Sequence, residues 1–202
     1  RGISGGGLAL GGGVIGVIAL LINFFLGGGD ASQLPQSLPG AGAPEMSAEE
    51  KAREDELASF VKVTFGDTED VWNKFLGESE YQEPTLVLFN GSTQSACGYA
   101  SHASGPFYCP ADQQVFIDLS FYDELRQRFN VSGDFAMVYV VAHEVGHHIQ
   151  YLMGTTEKMA RARQQLSETE YNRLSVKLEL QADFYAGVFA HHNQKMKNVL
   201  EA

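Results

Sequence analysis

The sequence predicts an α+β domain, a small sheet packed on two long helices, preceded by an apolar N-terminal segment. Three observations carry that expectation. Two short runs, Thr85-Leu86-Val87-Leu88-Phe89 and Gln114-Val115-Phe116-Ile117-Asp118-Leu119, are rich in β-branched and aromatic residues, and the turn pair Asn90-Gly91 closes the first. Two longer segments, 135–152 and one opening at Ser167 and running to about Gln194, show helical periodicity with start and stop signals. Residues 2–29, by contrast, hold no charged side chain at all.

That first stretch contains eleven of the chain's 22 glycines. Yet Leu8 to Phe25, and above all Val14-Ile15-Gly16-Val17-Ile18-Ala19-Leu20-Leu21-Ile22-Asn23-Phe24-Phe25-Leu26, reaches the roughly 17–25 residues that span hydrocarbon. Glycine is tolerated in such helices. A transmembrane anchor over residues 1–29 is therefore expected. A signal peptide fits less well, since Gly27-Gly28-Gly29-Asp30 is no small-x-small cleavage site and Ala41-Gly42-Ala43 lies far downstream. A flexible glycine-rich tail is at odds with the run of Ile, Leu and Phe. Arg1 is the one positive charge before the span and acidic residues dominate after it, which orients the N-terminus inside and the domain outside a cytoplasmic membrane. Residues 30–46, rich in Pro, Ala, Gly and Ser, read as a flexible tether. Residues 47–202 remain as the folded domain.

Ser47-Ala48-Glu49-Glu50 is a capping box. It opens a helix with Leu57, Phe60, Val61 and Phe65 on its apolar stripe, and a second helix over 68–76 carries Val71, Trp72 and Phe75. The acidic run 49–56 is a solvated face. Cys97 and Cys109 are the only cysteines, too few to make a metal site by themselves. Either they form a disulfide across a Gly- and Ser-rich loop, worth about 3 kcal/mol in the chain-entropy model, or both are free and buried. An extracytoplasmic location favours the disulfide. His102, alone in that loop, reads as a surface residue. Ser120 caps a helix over 121–129 and Asp134 caps the helix 135–152, which Phe135, Val138, Tyr139, Ala142, Val145, Ile149 and Met153 anchor in the core and Gly154 ends. A charged segment, 156–166, then crosses to a second capping box, Ser167-Glu168-Thr169-Glu170. The net charge of −11 and the lack of any basic cluster exclude a nucleic-acid interface, which needs clustered Lys and Arg. No feature of the sequence sets an oligomeric state.

The chemistry lies on the last two helices. His143-Glu144-Val145-Gly146-His147 has the spacing His-Glu-x-x-His. Residues four apart share a helix face, so both imidazoles can reach one ion with Glu144 leaning over it. Two neutral imidazoles and a carboxylate that takes a proton from an activated water are the parts of a zinc hydrolase. The bland alternative is two ordinary histidines and a solvated Glu. A third ligand decides between them: Glu179 lies 36 positions beyond His143, with Asp183 four residues further. Glu179 would complete two imidazoles and one carboxylate around a single zinc, leaving the fourth tetrahedral position open. Asp183 would accept the free ring N–H of a ligand histidine. As a mere pair of like charges they would destabilise the helix by roughly 0.2–0.5 kcal/mol, yet they alternate with Leu178, Leu180, Ala182, Phe184 and Tyr185. The longer zinc pattern that takes a glycine and a histidine after His147 is excluded by Gln150 and Met153. His148 is turned about 100° round the helix from His147 and should not bind the same ion.

His143-Glu144-Val145-Gly146-His147-His148 followed by Glu179-Leu180-Gln181-Ala182-Asp183 resembles the bacterial neutral zinc metallopeptidase family, membrane-anchored and gluzincin-like. Ala96-Cys97-Gly98, Gly105-Pro106-Phe107-Tyr108-Cys109-Pro110-Ala111-Asp112-Gln113 and Asp118-Leu119-Ser120-Phe121 extend the likeness over roughly residues 70–195. The resemblance implies a zincin-type fold, His143, His147 and Glu179 as ligands of one catalytic zinc, and Glu144 as the base of an endopeptidase. It further implies a peptide or protein substrate and a single-pass protein of the bacterial cytoplasmic membrane. Family members often carry Cys where this chain has Phe184, and they run on past Ala202, which implies a downstream segment.

In the mechanism so implied, zinc activates water and Glu144 takes the proton, later returning it to the leaving amine. In such enzymes a Tyr or His helps hold the oxyanion. Tyr185, His191 and His192 are the candidates. The free edge of strand 114–119 would pair with an extended peptide, the alternative being an ordinary core strand. A zinc-stabilised scaffold or partner-binding protein with little turnover is the competing class, and hydrolysis of a non-peptide amide a third. An intact Glu144 favours hydrolysis, since a structural site is normally closed by four protein ligands. A long groove beside 114–119 would indicate polypeptide, a closed pocket something small.

Overall fold

The computed structural model describes residues 46–123, 125 and 134–198. The expected anchor, nearly all of the tether and most of the helix expected over 121–129 lie outside the described residues. No helix among the described residues is long and apolar enough to cross a membrane.

Helix α1 spans Ala48–Leu76 and starts at the expected capping box, with Ser47 and Glu50 each bonding the other's backbone N–H. It is one helix, where the sequence suggested two. Gly66 inside a helix costs only about 1 kcal/mol relative to Ala. Nor does Thr68 start a new helix, since its hydroxyl bonds back to the Phe65 carbonyl at 2.6 Å. The stripe Val61, Phe65, Val71 and Trp72 is buried along its length.

Strand β1, Thr85–Phe89, follows, with Gly91 at φ +76° in the turn after it. A hairpin of β2 (Ser92–Ser95) and β3 (Gly98–Ser101) comes next, then a single 3-10 turn over His102–Ser104. Strands β4 (Phe107–Cys109) and β5 (Gln114–Asp118) complete a sheet of order β1-β5-β4. β1 runs parallel to β5 and β4 antiparallel, with Tyr108 opposite Val115. The expectation of a free edge on 114–119 is thus corrected: β5 is the central strand. Its near-continuous apolar run suits burial on both faces, and Val115, Phe116, Ile117 and Asp118 are all buried. Among the described residues the edges belong to β1 and β4. Cys97 and Cys109 form a disulfide, Cα–Cα 5.8 Å, that ties the β2–β3 turn to β4.

Helix α2, Phe135–Leu152, packs against α1, β4, β5 and both following helices, α3 (Thr155–Gln165) and α4 (Glu168–Lys197). Its buried face keeps the expected Ala142, Val145 and Ile149, with Val138 partly buried, but is wider than expected and loses the ends of the expected stripe. Met137 and Val141 are fully buried, whereas Phe135, Tyr139 and Met153 are exposed. With a partner on several sides, no single stripe describes its burial. Burying Met137, Val141, Val145 and Ile149 contributes about 1.5–3 kcal/mol each. Asp134 makes no capping bond and instead accepts from the Tyr122 hydroxyl at 2.6 Å. The charged crossing segment is helix α3, which buries no residue and so carried no apolar period. α4 opens on its expected capping box and is held to α1 at its far end, where Lys197 pairs with Asp67 and Asp70 at 2.5 and 2.7 Å.

Candidate metal centre

The α2–α4 contact creates the site. At Gly146 the helices approach so closely that an added Cβ would lie 2.9 Å from the Ala182 carbonyl oxygen. Glycine there lets α4 lie directly over the His143–His147 face. His143 Nε2 and His147 Nε2 sit 3.4 and 3.5 Å from Glu179 Oε2, and all three donor atoms lie within 4.8 Å of one another. A tetrahedral zinc with bonds of about 2.0–2.1 Å separates neighbouring donors by about 3.3 Å. The carboxylate is therefore at ligand spacing from both imidazoles. Two imidazoles and one carboxylate are a zinc-type donor set with a position to spare, and the half-exposed Glu179 leaves the solvent side open.

Each ring's other nitrogen is engaged. His143 Nδ1 donates to Asp183 Oδ1 at 2.8 Å, and the Tyr139 hydroxyl donates to the same carboxylate. His147 Nδ1 donates to Gln150 Oε1 at 2.9 Å. Both Nε2 lone pairs are thereby left for an ion. Glu144 is buried beside the ligands. Burial, aided by the charge of Glu179, pushes its pKa up to about 8, and the backbone N–H of Tyr108 works the other way. A dication alongside favours the charged form.

His143, Glu144, His147, Gln150 and Glu179 line a cleft of about 370 Å³ together with Pro106, with Phe107 and Tyr108 of β4, Thr156 of α3 and Leu178 of α4. His148 faces away from it, fully buried. Its Nε2 donates to the Gln82 carbonyl at 2.5 Å and its Nδ1 accepts from the Tyr108 hydroxyl at 2.9 Å. Burial holds this histidine below its ordinary pKa, so it stays neutral and braces β4 against α2. A second depression, about 310 Å³, lies beside α1 among Arg53, Leu57, Phe60 and Tyr122, and shares no residue with the ligand cluster.

The structure does not bring the three candidate oxyanion stabilisers to the cleft. Tyr185 packs edge-on against Trp72 at 5.6 Å and donates to Met153 Sδ at 3.3 Å. His191 and His192 lie twelve and thirteen residues beyond Glu179, about 18 Å further along the helix, and His192 packs on Phe75 at 4.5 Å. Sequence reasoning missed Tyr139 and Gln150, which face the ligands. Their spacing signalled both, since Tyr139 precedes His143 by four and Gln150 follows His147 by three. Tyr108 and His148 meet across 40 residues, and no local spacing announces that pair.

Among curated proteins the chain is 48% identical over 150 residues to the "Uncharacterized protein YpfJ" of Escherichia coli, covering 73% of this chain and 52% of that one. It is 39% identical over 138 residues to the "Uncharacterized protein Rv2575" of Mycobacterium tuberculosis, covering 68% and 45%. The chain thus spans about half the length of the curated relatives it matches. No solved structure matches it. A family model described as "Putative neutral zinc metallopeptidase" matches residues 1–202, in agreement with the ligand cluster on α2 and α4, and the chain belongs to that family.

Proposed function

We propose that this domain is a zinc-dependent endopeptidase of gluzincin-like design. The observation that carries the reading is the convergence of His143, His147 and Glu179 within 4.8 Å of one another, the carboxylate at ligand spacing from both imidazoles, beside a buried Glu144. Zinc, when bound, would acidify water toward a pKa of about 7 and polarise a carbonyl. Glu144 accepts the proton of the attacking water and delivers it to the leaving amine. The Tyr108 N–H favours the charged form of that carboxylate. β4, the sheet edge on the cleft wall, offers backbone groups to an extended polypeptide. His143 and His147 present their Nε2 atoms because Asp183 and Gln150 occupy the other nitrogens.

The wider setting belongs to the same proposal. The charge-free stretch 2–29 supports a single-pass anchor in the bacterial cytoplasmic membrane. The Cys97–Cys109 disulfide supports an oxidising, extracytoplasmic side for the domain.

Zinc content and cleavage of an unfolded protein, for wild type beside Glu144→Ala, test the reading. Both proteins should bind one zinc, and only the wild type should cleave. Zinc binding by both with cleavage by neither would favour the scaffold class instead. If neither binds zinc, the reading fails at its root.

A further inference from the structure

The two histidines are backed in different ways. His143 leans on a half-exposed carboxylate, Asp183, whereas His147 leans on the amide of Gln150, buried between α2 and α4. That amide has only one consistent orientation. The Leu178 carbonyl, 2.7 Å away, can only accept, so the atom facing it must be the NH₂ group. The second N–H reaches Gln181 Oε1 at 3.1 Å, which leaves Oε1 to face His147. An acceptor there requires the proton of His147 to sit on Nδ1, and the lone pair is then on Nε2, aimed at Glu179 Oε2. Leu178 directly precedes Glu179. The segment that supplies the carboxylate ligand therefore also dictates, through one buried amide, which nitrogen of His147 is free to bind.

We propose that Gln150 is a positioning residue that couples the docking of α4 to the metal-binding tautomer of His147. It lines the cleft beside His147 and acts through the imidazole. The proposal rests on the zinc reading above for its consequence, but its hold on the ring does not.

The test compares wild type, Gln150→Leu and Gln150→Glu. Leucine removes both the acceptor and the donors. Glutamate keeps an acceptor toward His147 in either protonation state and loses one donor when protonated, both when ionised. Nitrogen chemical shifts of the metal-free proteins should place the His147 proton on Nδ1 in wild type and in Gln150→Glu, and release it from that site in Gln150→Leu. Zinc affinity, measured by chelator competition, should fall about 10–100-fold in Gln150→Leu and stay near wild type in Gln150→Glu. A wild-type proton on Nε2, unchanged zinc affinity in Gln150→Leu, or equal losses in the two variants would each overturn the proposal, the last by showing a plain clip between helices. If Gln150→Leu fails to fold, Gln150→Glu decides alone: retained affinity supports the proposal and lost affinity sinks it. Should wild type bind no zinc, the peptidase reading fails, and the shifts still decide whether Gln150 sets the tautomer.

Discussion

Asp183 accepts from two donors, the His143 Nδ1–H and the Tyr139 hydroxyl, and the carboxylate and the hydroxyl can be altered separately. Asp183→Asn should weaken zinc binding about 10–100-fold, as loss of such a partner commonly does. Tyr139→Phe, which leaves the carboxylate in place, should weaken it less, and chelator competition ranks the two. Glu144 gives a second, independent handle. In the metal-free protein its carboxyl stays protonated up to about pH 8 against an ordinary value of 4.5, chiefly through burial. Between those values the native state holds a proton that the unfolded chain has lost. Its contribution to stability is thus fully present below 4.5 and is lost as the pH rises toward 8, at up to about 1.4 kcal/mol per pH unit. Urea unfolding of the zinc-free protein at about pH 5.5 and about pH 7.5 should show a steeper decline for wild type than for Glu144→Gln. Parallel slopes would mean that Glu144 ionises normally. The candidate ligands were legible as two pairs at helix spacing, His143 with His147 and Glu179 with Asp183. Gly146 was not, because its reason is a backbone oxygen on another helix, 36 residues away in sequence.

At the scale of elements, the site depends on how closely α2 and α4 approach. Gly146→Ala would press a methyl group against the Ala182 carbonyl, a backbone atom that cannot turn aside. A cost of about 1–3 kcal/mol is expected, with a loss of zinc affinity because the ligands sit on both helices. Thermal unfolding without metal and chelator competition would separate the two effects, and an unchanged affinity would mean that the helices readjust without moving Glu179. The two capping boxes, β1, β5 and α2 were all readable, each from a local signal. α3 was not, since a helix that buries nothing leaves no hydrophobic trace. Nor was the β2–β3 hairpin, built largely of Ser, Thr, Gln and Gly. The continuity of α1 was hidden by Gly66-Asp67-Thr68, which looks like a stop and a cap. Asp67 is instead used by Asn193 and Lys197 at the far end of α4.

For the described domain as a whole, the disulfide joins two scales. Cys109 adjoins Tyr108, whose N–H holds Glu144 and whose hydroxyl meets His148. Replacing Cys97 and Cys109 together by serine should lower stability by about 2–4 kcal/mol and reduce cleavage more than zinc content, since the ligands sit on α2 and α4. Metal analysis beside a cleavage assay checks this, and a parallel fall in both would place the effect on the whole fold. The α+β class was legible from composition and period. The strand order was not, because which strand lies centrally is decided by packing that no single run encodes.

The separation of the ligands also has a consequence in time. Glu179 is made 36 residues after His143, roughly 2–7 s later at ordinary rates of synthesis. Until it arrives, a nascent chain offers an ion two imidazoles and nothing to close the set. Assembly of the three-residue donor set is thereby deferred until the chain of α4 has been made.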